Sequence, residues 1–303
     1  MSDIKLFRIS TGTVEELPGK SVAVEKTLQV LMEQHLDAFL GVRFLASEYS
    51  TGKTHGGRID TLGIDENNCP VIIEYKRSTN ENVINQGLFY LDWLLDHQAE
   101  FALLAMKTLG TKVEEKIDWS APRLLCIAGD FTKYDSHAVT QINRNIELLR
   151  YRHYDDGYLV LELVNSVTGS PQPAPGKGTG KTKPSQGTVT EYYEKASPQL
   201  QDLFQAMESF VMALGDDVTQ KTLQLYFAFR RIKNFACVEV HPVAQKLTMY
   251  LKRDPAMTDF VEGFTRDVSN IGHFGTGDLE VTLTSMGDLE RAKPLIVQSY
   301  EMS

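Results

Sequence analysis

Glu74 and Lys76 lie two residues apart in Pro70-Val71-Ile72-Ile73-Glu74-Tyr75-Lys76, an apolar, β-branched run that reads as a strand. Strand side chains alternate between faces, so the acid and the base project from one side while Ile73 and Tyr75 take the other. Alone, such a pair is ordinarily an exposed strand edge or a weak cross-strand ion pair. Asp60 stands fourteen residues before Glu74, and a hairpin turning at Glu66-Asn67-Asn68 carries it across the ladder toward Glu74. Two carboxylates about 4 Å apart repel by about 4 kcal/mol at an effective dielectric of about 20. The pair is costly unless a cation lies between them, and Lys76 neutralises only part of that cost.

Helical geometry adds a third acid. Val24, Leu28, Leu31, Met32, Leu36, Phe39 and Leu40 follow helical spacing, with Gly41 as the stop. At about 100° per residue, Glu25 falls inside the arc of Leu28, Met32, Leu36 and Phe39, whereas Lys26, Glu33 and Asp37 fall on the solvated side. A carboxylate aimed at the core needs a role: capping the first turn, pairing with a buried base, or sharing a cation. On a second helix, read over 81–106, Ile84, Leu88, Leu91 and Leu95 form the inward stripe. Gln86, Phe89, Tyr90 and Trp93 make a second face. Gln86 and Tyr90, one turn apart, suit either hydrogen bonding to a phosphate or to Lys76, or packing in a helix held between two layers.

The surrounding pattern is mixed α/β. Strand-like runs at 43–49, 58–65 and 70–76 follow the first helix, the last two as a hairpin. After the second helix come a strand at 124–128, a helix over 135–150 and a strand at 158–164. Residues 168–190 are rich in Pro, Gly and Lys and read as a flexible linker between a first domain, 1–167, and a second, 191–303. The second half reads as a small α+β domain. It has a helix at 197–214, strands at 223–229, 235–240, 246–251 and 279–283, and a closing helix at 288–300.

Together, Glu25, Gly57-Arg58-Ile59-Asp60, Ile72-Ile73-Glu74-Tyr75-Lys76, Gln86 and Tyr90 resemble the PD-(D/E)XK nuclease superfamily, and within it the catalytic domain of NucS-like endonucleases. The likeness spans roughly residues 20–130. It implies a restriction-endonuclease-like mixed β-sheet flanked by helices. The second half, with Ile271-Gly272-His273-Phe274-Gly275-Thr276-Gly277-Asp278, is similar to an uncharacterised domain often found at the C-terminus of such proteins.

The implied reaction is phosphodiester hydrolysis, with Glu25, Asp60, Glu74, Lys76 and Gln86 as catalytic residues. Asp60, Glu74 and Glu25, with the Tyr75 carbonyl, would hold Mg²⁺, for which Mn²⁺ substitutes. Lys76 would orient the attacking water and steady transition-state charge. Arg58, Arg77, Tyr90 and Lys53 would contact substrate, with Arg43 in the same basic track. The implied partner is nucleic acid, DNA rather than RNA, with a homodimer compatible. The rival reading is a nuclease fold that no longer cuts and binds nucleic acid or protein; the full acid set and the lysine argue against it. Tyr75 stands where the family more often has an aliphatic residue. Only about twenty residues precede the first helix, so a separate N-terminal DNA-binding domain of the NucS type is not expected.

Composition bounds these readings. The 303 residues carry 31 basic and 40 acidic side chains, a net charge of -9, and 42% are hydrophobic, so wholesale disorder is excluded. Acidity opposes phosphate binding, which runs on Lys and Arg, unless divalent ions and a local basic track offset it. No apolar run reaches the ~18 residues of a bilayer span and the first residues lack a signal-peptide core, so the cytoplasm is the expected compartment and no membrane partner is expected. Cys69, Cys126 and Cys237 show no metal or disulfide spacing and read as reduced thiols.

Several motifs are decoys. Gly52-Lys53-Thr54 and Gly180-Lys181-Thr182 imitate the end of a phosphate-binding loop, but the required first glycine is Ser47 in one and Pro175 in the other. The glycines at 272, 275 and 277 suit a tight turn better than an anion nest, and His273 reads as structural. Arg230, Arg231 and Lys233 read as a solvated hairpin end.

Overall fold

The structure, a computed structural model, describes residues 4–20, 25–76, 83–110, 117–154, 157–169 and 187–303. The chain forms two compact units. One is Met1–Asp65, Cys69–Ile117 and Pro122–Ser170; the other is Glu66–Asn68, Asp118–Ala121 and Pro171–Ser303. Among the described residues no helix is long and apolar enough to cross a membrane.

The first unit opens with a hairpin of β1 (Leu6–Ser10) and β2 (Thr13–Leu17), which forms its own two-stranded sheet. The main sheet has seven strands: β3 (Gly19–Lys20), β4 (Val42–Ser50), β5 (Arg58–Asp65), β6 (Pro70–Lys76), β7 (Arg123–Ala128), β8 (Asn145–Tyr154) and β9 (Tyr158–Val167). Their order is β3-β8-β7-β6-β5-β4, with β9 also on β8. β4, β5 and β6 pair antiparallel, while β6, β7 and β8 pair parallel. This is the expected mixed sheet flanked by helices. The central strands are buried on both faces, so residues 124–128 of β7 and 70–73 of β6 read as unbroken apolar runs.

Two helical layers cover the sheet around β6. α1 (Glu25–Gln34) lies on the face that carries Tyr75: its Glu33 accepts from Thr61 Oγ1 at 2.7 Å, and the Thr61 and Tyr75 hydroxyls meet at 3.5 Å. α4 (Val83–Asp96) lies on the opposite face, where Gly87 packs against Leu124, the register partner of Ile72. Ile72 and Glu74 share that face, so Glu74 looks toward α4.

The helix limits differ from those expected. The first breaks at His35 into α1 and α2 (Leu36–Leu40), and Gly41 ends the second in the left-handed region. The expected long helix over 81–106 divides at His97 into α4 and α5 (Gln98–Leu109). His97 leaves helical geometry there, while its ring stacks on Trp93 and meets the Trp93 carbonyl at 2.8 Å. The helix expected over 135–150 is instead the short α6 (Lys133–Thr140) followed by β8. Ile146, Leu148, Leu149 and Tyr151 are all buried in that strand, and burial on both faces erases the alternation that marks a strand in sequence. The remaining helix, α3 (Gly52–His55), sits between β4 and β5.

Across the sheet, the Arg123 guanidinium is fully buried. It grips Glu147 through two bonds, at 2.9 and 2.8 Å, and reaches Asp65 at 2.9 Å. Burial opposes the charge of Arg123, but the two carboxylates raise its pKa above the ordinary value.

In the second unit an antiparallel six-stranded sheet packs one face on helices. Its strands are β10 (Thr219–Thr222), β11 (Phe227–Arg230), β12 (Asn234–His241), β13 (Lys246–Leu251), β14 (Thr265–Asp267) and β15 (Leu279–Leu283), in the order β10-β11-β12-β13-β15-β14. The helices are α7 (Val189–Glu194), α8 (Pro198–Met212) and α9 (Met286–Glu301). Leu203, Phe204 and Met207 of α8 and Leu289 and Ile296 of α9 share a core with Val238, Met249 and Val281. Val189, which the sequence places in the linker, joins that core as the first residue of α7.

Of the strand expected over 223–229, only 227–229 are strand, within β11; residues 223–226 connect β11 to β10, which lies before the expected span. Arg230 is buried, donating to the carbonyls of Arg231 and Ile232 in its own turn, and Arg231 pairs with Asp217 at 2.6 Å. The run does lie at the end of the β11–β12 hairpin, with Arg231 and Lys233 half-buried there, but Arg230 is not solvated. His273 stacks on Tyr250, with ring centroids 4.2 Å apart, in the turn that leads to β15.

Candidate functional site

The β5–β6 register pairs Thr61 with Ile73, which places Asp60 opposite Glu74 one step further along. At that step side chains replace backbone partners. The Asp60 amide donates to Glu74 Oε1 at 3.2 Å, and the Tyr75 amide donates to Asp60 Oδ2 at 3.0 Å. Glu74 is buried, and its Oε2 has no hydrogen-bond partner. Burial, followed by the charge of Asp60, raises its pKa from 4.5 to about 9; the Asp60 amide and the Lys76 charge pull the other way. Burial also holds the Tyr75 hydroxyl above the ordinary tyrosine range.

α4 and the loop before β5 build the opposite wall. The Tyr90 hydroxyl accepts from the Arg58 amide at 3.1 Å and from Gln86 Nε2 at 3.3 Å. Gly57 has no room for a side chain, because a Cβ there would lie 2.5 Å from Tyr90 Cε1. The loop is closed by Thr51, whose Oγ1 accepts from the Gly57 amide at 2.9 Å while its own amide donates to the Gly57 carbonyl at 3.0 Å. The result is a cleft of about 680 Å³ lined by Glu48, Ser50, Gly56, Gly57, Arg58, Asp60, Gln86 and Tyr90.

The structure thus brings Asp60, Glu74, Gln86, Tyr90 and Arg58 together, and Lys76 follows Glu74 on the same face. Glu25 opens α1, but its side chain lies outside the described residues, as does Arg77. Lys53 is exposed on α3 and does not line the cleft. Arg43 is a correction to the expected basic track. It is half-buried at the far end of β4, paired in register with Ile64, and burial lowers its pKa against the charges of Asp65 and Asp37. Strand direction carries it away from the cleft, which Glu48 and Ser50 line at the other end of β4.

Two residues went unseen in the sequence. Glu48 adopts φ 51° in β4 and accepts from Lys26 at 2.7 Å, with Arg58 Nε at 3.3 Å. The Lys26 hydrogen bond leads in holding its carboxyl below the usual range. No spacing rule connects Glu48 to the site, because a positive φ re-aims it. Gln29 is buried; its Nε2 reaches the Asp60 carbonyl at 2.8 Å and Glu33 at 2.9 Å. Its place one turn after Glu25 was the available signal. Glu33, expected among solvated charges, is half-buried in this network.

Among the described residues no group of three or more His, Cys, Asp or Glu is gathered to hold a metal ion. Asp60 and Glu74 supply an oxygen-only pair, and the unpartnered Glu74 Oε2 is a buried acceptor, the donor chemistry that suits a hard divalent cation.

Comparison with known proteins points elsewhere in the chain. Residues 189–303 match the family described as "Domain of unknown function (DUF5655)". The match lies in the second unit and leaves the Asp60–Glu74 cleft outside it. A protein of Haemophilus influenzae, described as uncharacterized, is 27% identical over 309 residues, covering 98% of this chain and 100% of its own. Both units therefore have counterparts in one relative. No solved structure matches the chain.

Proposed function

We propose that the first unit is a metal-dependent nuclease that hydrolyses phosphodiester bonds, acting as an endonuclease on DNA. The observation that carries this reading is the placement of Asp60 against Glu74 with a buried, unpartnered carboxylate oxygen, at the edge of a polar cleft. A buried carboxylate oxygen without a partner beside a second carboxylate is costly for folding, and such groups cluster where a cation or proton is exchanged.

Asp60, Glu74 and Glu25 would hold Mg²⁺, or Mn²⁺ in its place; bound there, the ion would neutralise phosphate charge and make an attacking water more acidic. Glu74 must give up its proton to act as a ligand, and the Lys76 charge favours that ionised form. Lys76 orients the water and steadies the charge that develops on phosphorus oxygens. Arg58, exposed at the rim, neutralises the incoming strand, and Gln86, held by Tyr90, offers an amide donor inside the cleft. Lys53 and Arg77 would add to this contact with the strand, and affinity would fall steeply with salt.

The test is a panel of labelled circular, linear, flapped and mismatched DNA and RNA substrates incubated with Mg²⁺ or Mn²⁺. Cleavage by the wild-type chain that disappears in Lys76→Ala supports the reading. Equal cleavage by both proteins, or binding without any cleavage, overturns it, the latter in favour of a binding module.

A further inference from the structure

Asp60 lies where strand geometry gives way on the β4 side. β4 and β5 pair Ser47 with Thr61 and Tyr49 with Ile59, and Glu48, between those pairs, has φ 51°. At this point the Asp60 carbonyl meets a side chain of α1: Gln29 Nε2 donates to it at 2.8 Å.

Gln29 is only 3% exposed, so both ends of its amide must find partners inside the protein. The neighbours tell the two ends apart. Oε1 accepts from Lys26 Nζ at 3.2 Å, one helical turn back. Nε2 faces oxygens: the Asp60 carbonyl, Glu33 Oε1 at 2.9 Å and Ser47 Oγ at 3.3 Å. An ammonium at one end and oxygens at the other call for an acceptor and a donor on one side chain, which an amide supplies. Glutamate at this position would set a carboxylate against Glu33 and the Asp60 carbonyl. Methionine, of nearly the same length, would offer that carbonyl no donor.

The carbonyl that Gln29 holds belongs to the residue on which the carboxylate pair turns. The amide of Asp60 donates to Glu74 Oε1 at 3.2 Å, and its Oδ2 accepts from the Tyr75 amide at 3.0 Å. Asp60 is thus fixed from α1, from Glu74 and from the main chain of β6. If its peptide rotates, its carboxylate and its bond to Glu74 move together. Mg²⁺ tolerates little departure from octahedral oxygen positions, so a bond that aims a ligand from behind governs affinity.

We propose that Gln29 is a positioning residue for the carboxylate pair: it fixes the Asp60 peptide and thereby the spacing of the Asp60 and Glu74 oxygens that would receive a divalent cation. This rests on the nuclease reading for the cation but is measured without substrate.

Mn²⁺ binding to the full chain is measured by isothermal titration calorimetry for wild type, Gln29→Glu, Gln29→Met and Asp60→Asn, with cleavage of labelled DNA followed in parallel. Gln29→Met removes the donor without adding a charge, so the comparison holds even if Gln29→Glu folds poorly. Gln34→Glu, which adds the same charge at an exposed position of α1, is the control. The expected result is about 10- to 100-fold weaker Mn²⁺ binding at unchanged stoichiometry in both Gln29 variants, and wild-type binding in Gln34→Glu. A glutamine that only supports the fold would instead lower the fraction of competent sites at unchanged affinity. That outcome, or wild-type affinity in both Gln29 variants, overturns the proposal and leaves the nuclease standing if wild type cuts. Mn²⁺ binding that depends on Asp60 and Gln29, with no cleavage by wild type, sinks the nuclease alone. A wild type that binds no Mn²⁺ sinks both.

Discussion

Asp60 and Glu74 face each other across β5 and β6, with the Asp60 amide donating to Glu74 Oε1 at 3.2 Å where the backbone ladder would otherwise continue. Each acid accepts a main-chain amide of the other strand, and Glu74 Oε2 is left as a buried carboxylate oxygen without a hydrogen-bond partner.

Replacing Asp60 by Ala or Glu74 by Gln is expected to lower cleavage by more than the ~100-fold upper range for residues that act only through a ligand's neighbours. Initial rates on a cleaved substrate, with circular dichroism to show an intact fold, are the measurement. Near-normal rates in either variant end the assignment of the site.

The metal-free protein should lose stability as pH rises. The folded-state pKa of Glu74 is raised from 4.5 to about 9, so the unfolded chain releases this proton first. The favourable contribution is complete below about pH 4.5 and is lost progressively up to about 9. Melting temperatures across that window are expected to decline, and Glu74→Gln to flatten the decline. Identical slopes in the two proteins contradict the raised pKa.

Glu48 holds both Lys26 and Arg58 at the rim of the cleft. Glu48→Gln removes a charge that repels phosphate and releases two cations, so nucleic-acid affinity is expected to rise several-fold at low salt, with a steeper salt dependence. The exposed pairs themselves are worth about 1 kcal/mol or less, so the melting temperature should barely move. Weaker binding in the variant contradicts this view of Glu48.

Arg123→Met leaves Asp65 and Glu147 buried without their shared guanidinium. The expected cost is about 3–5 kcal/mol of unfolding free energy, read from denaturant titration. A change under about 1 kcal/mol would show that the triad is not the electrostatic tie it resembles.

Gly57→Ala places a methyl group 2.5 Å from the Tyr90 ring. A loss of about 1–3 kcal/mol is expected, recovered in part by Tyr90→Leu in a double-mutant cycle. Additive effects would mean the two residues do not touch.

Much of the site was legible because it depends on short-range rules. Alternation in β6 put Glu74 and Lys76 on one face, and the hairpin turn at 66–68 brought Asp60 opposite Glu74. Helical spacing put Gln86 and Tyr90 one turn apart, and they are hydrogen-bonded at 3.3 Å. Glu48 was not legible, because its aim depends on a positive φ in β4. Arg43 was misplaced because proximity in sequence says nothing about which end of a strand faces the cleft.

From its sequence alone this chain determined local direction: which residues alternate, which turn, and which acids lie on faces that can meet. It also marked the Pro-, Gly- and Lys-rich stretch between two α/β regions. Only the tertiary structure decided what depends on long-range packing. It turned the expected helix over 135–150 into α6 and the central strand β8, split the helix after β6 at His97, and set the Gln29 amide against the Asp60 carbonyl. The physical reason is that burial on both faces removes the periodic signal of a strand, and hydrogen bonds between elements join residues that no single period relates.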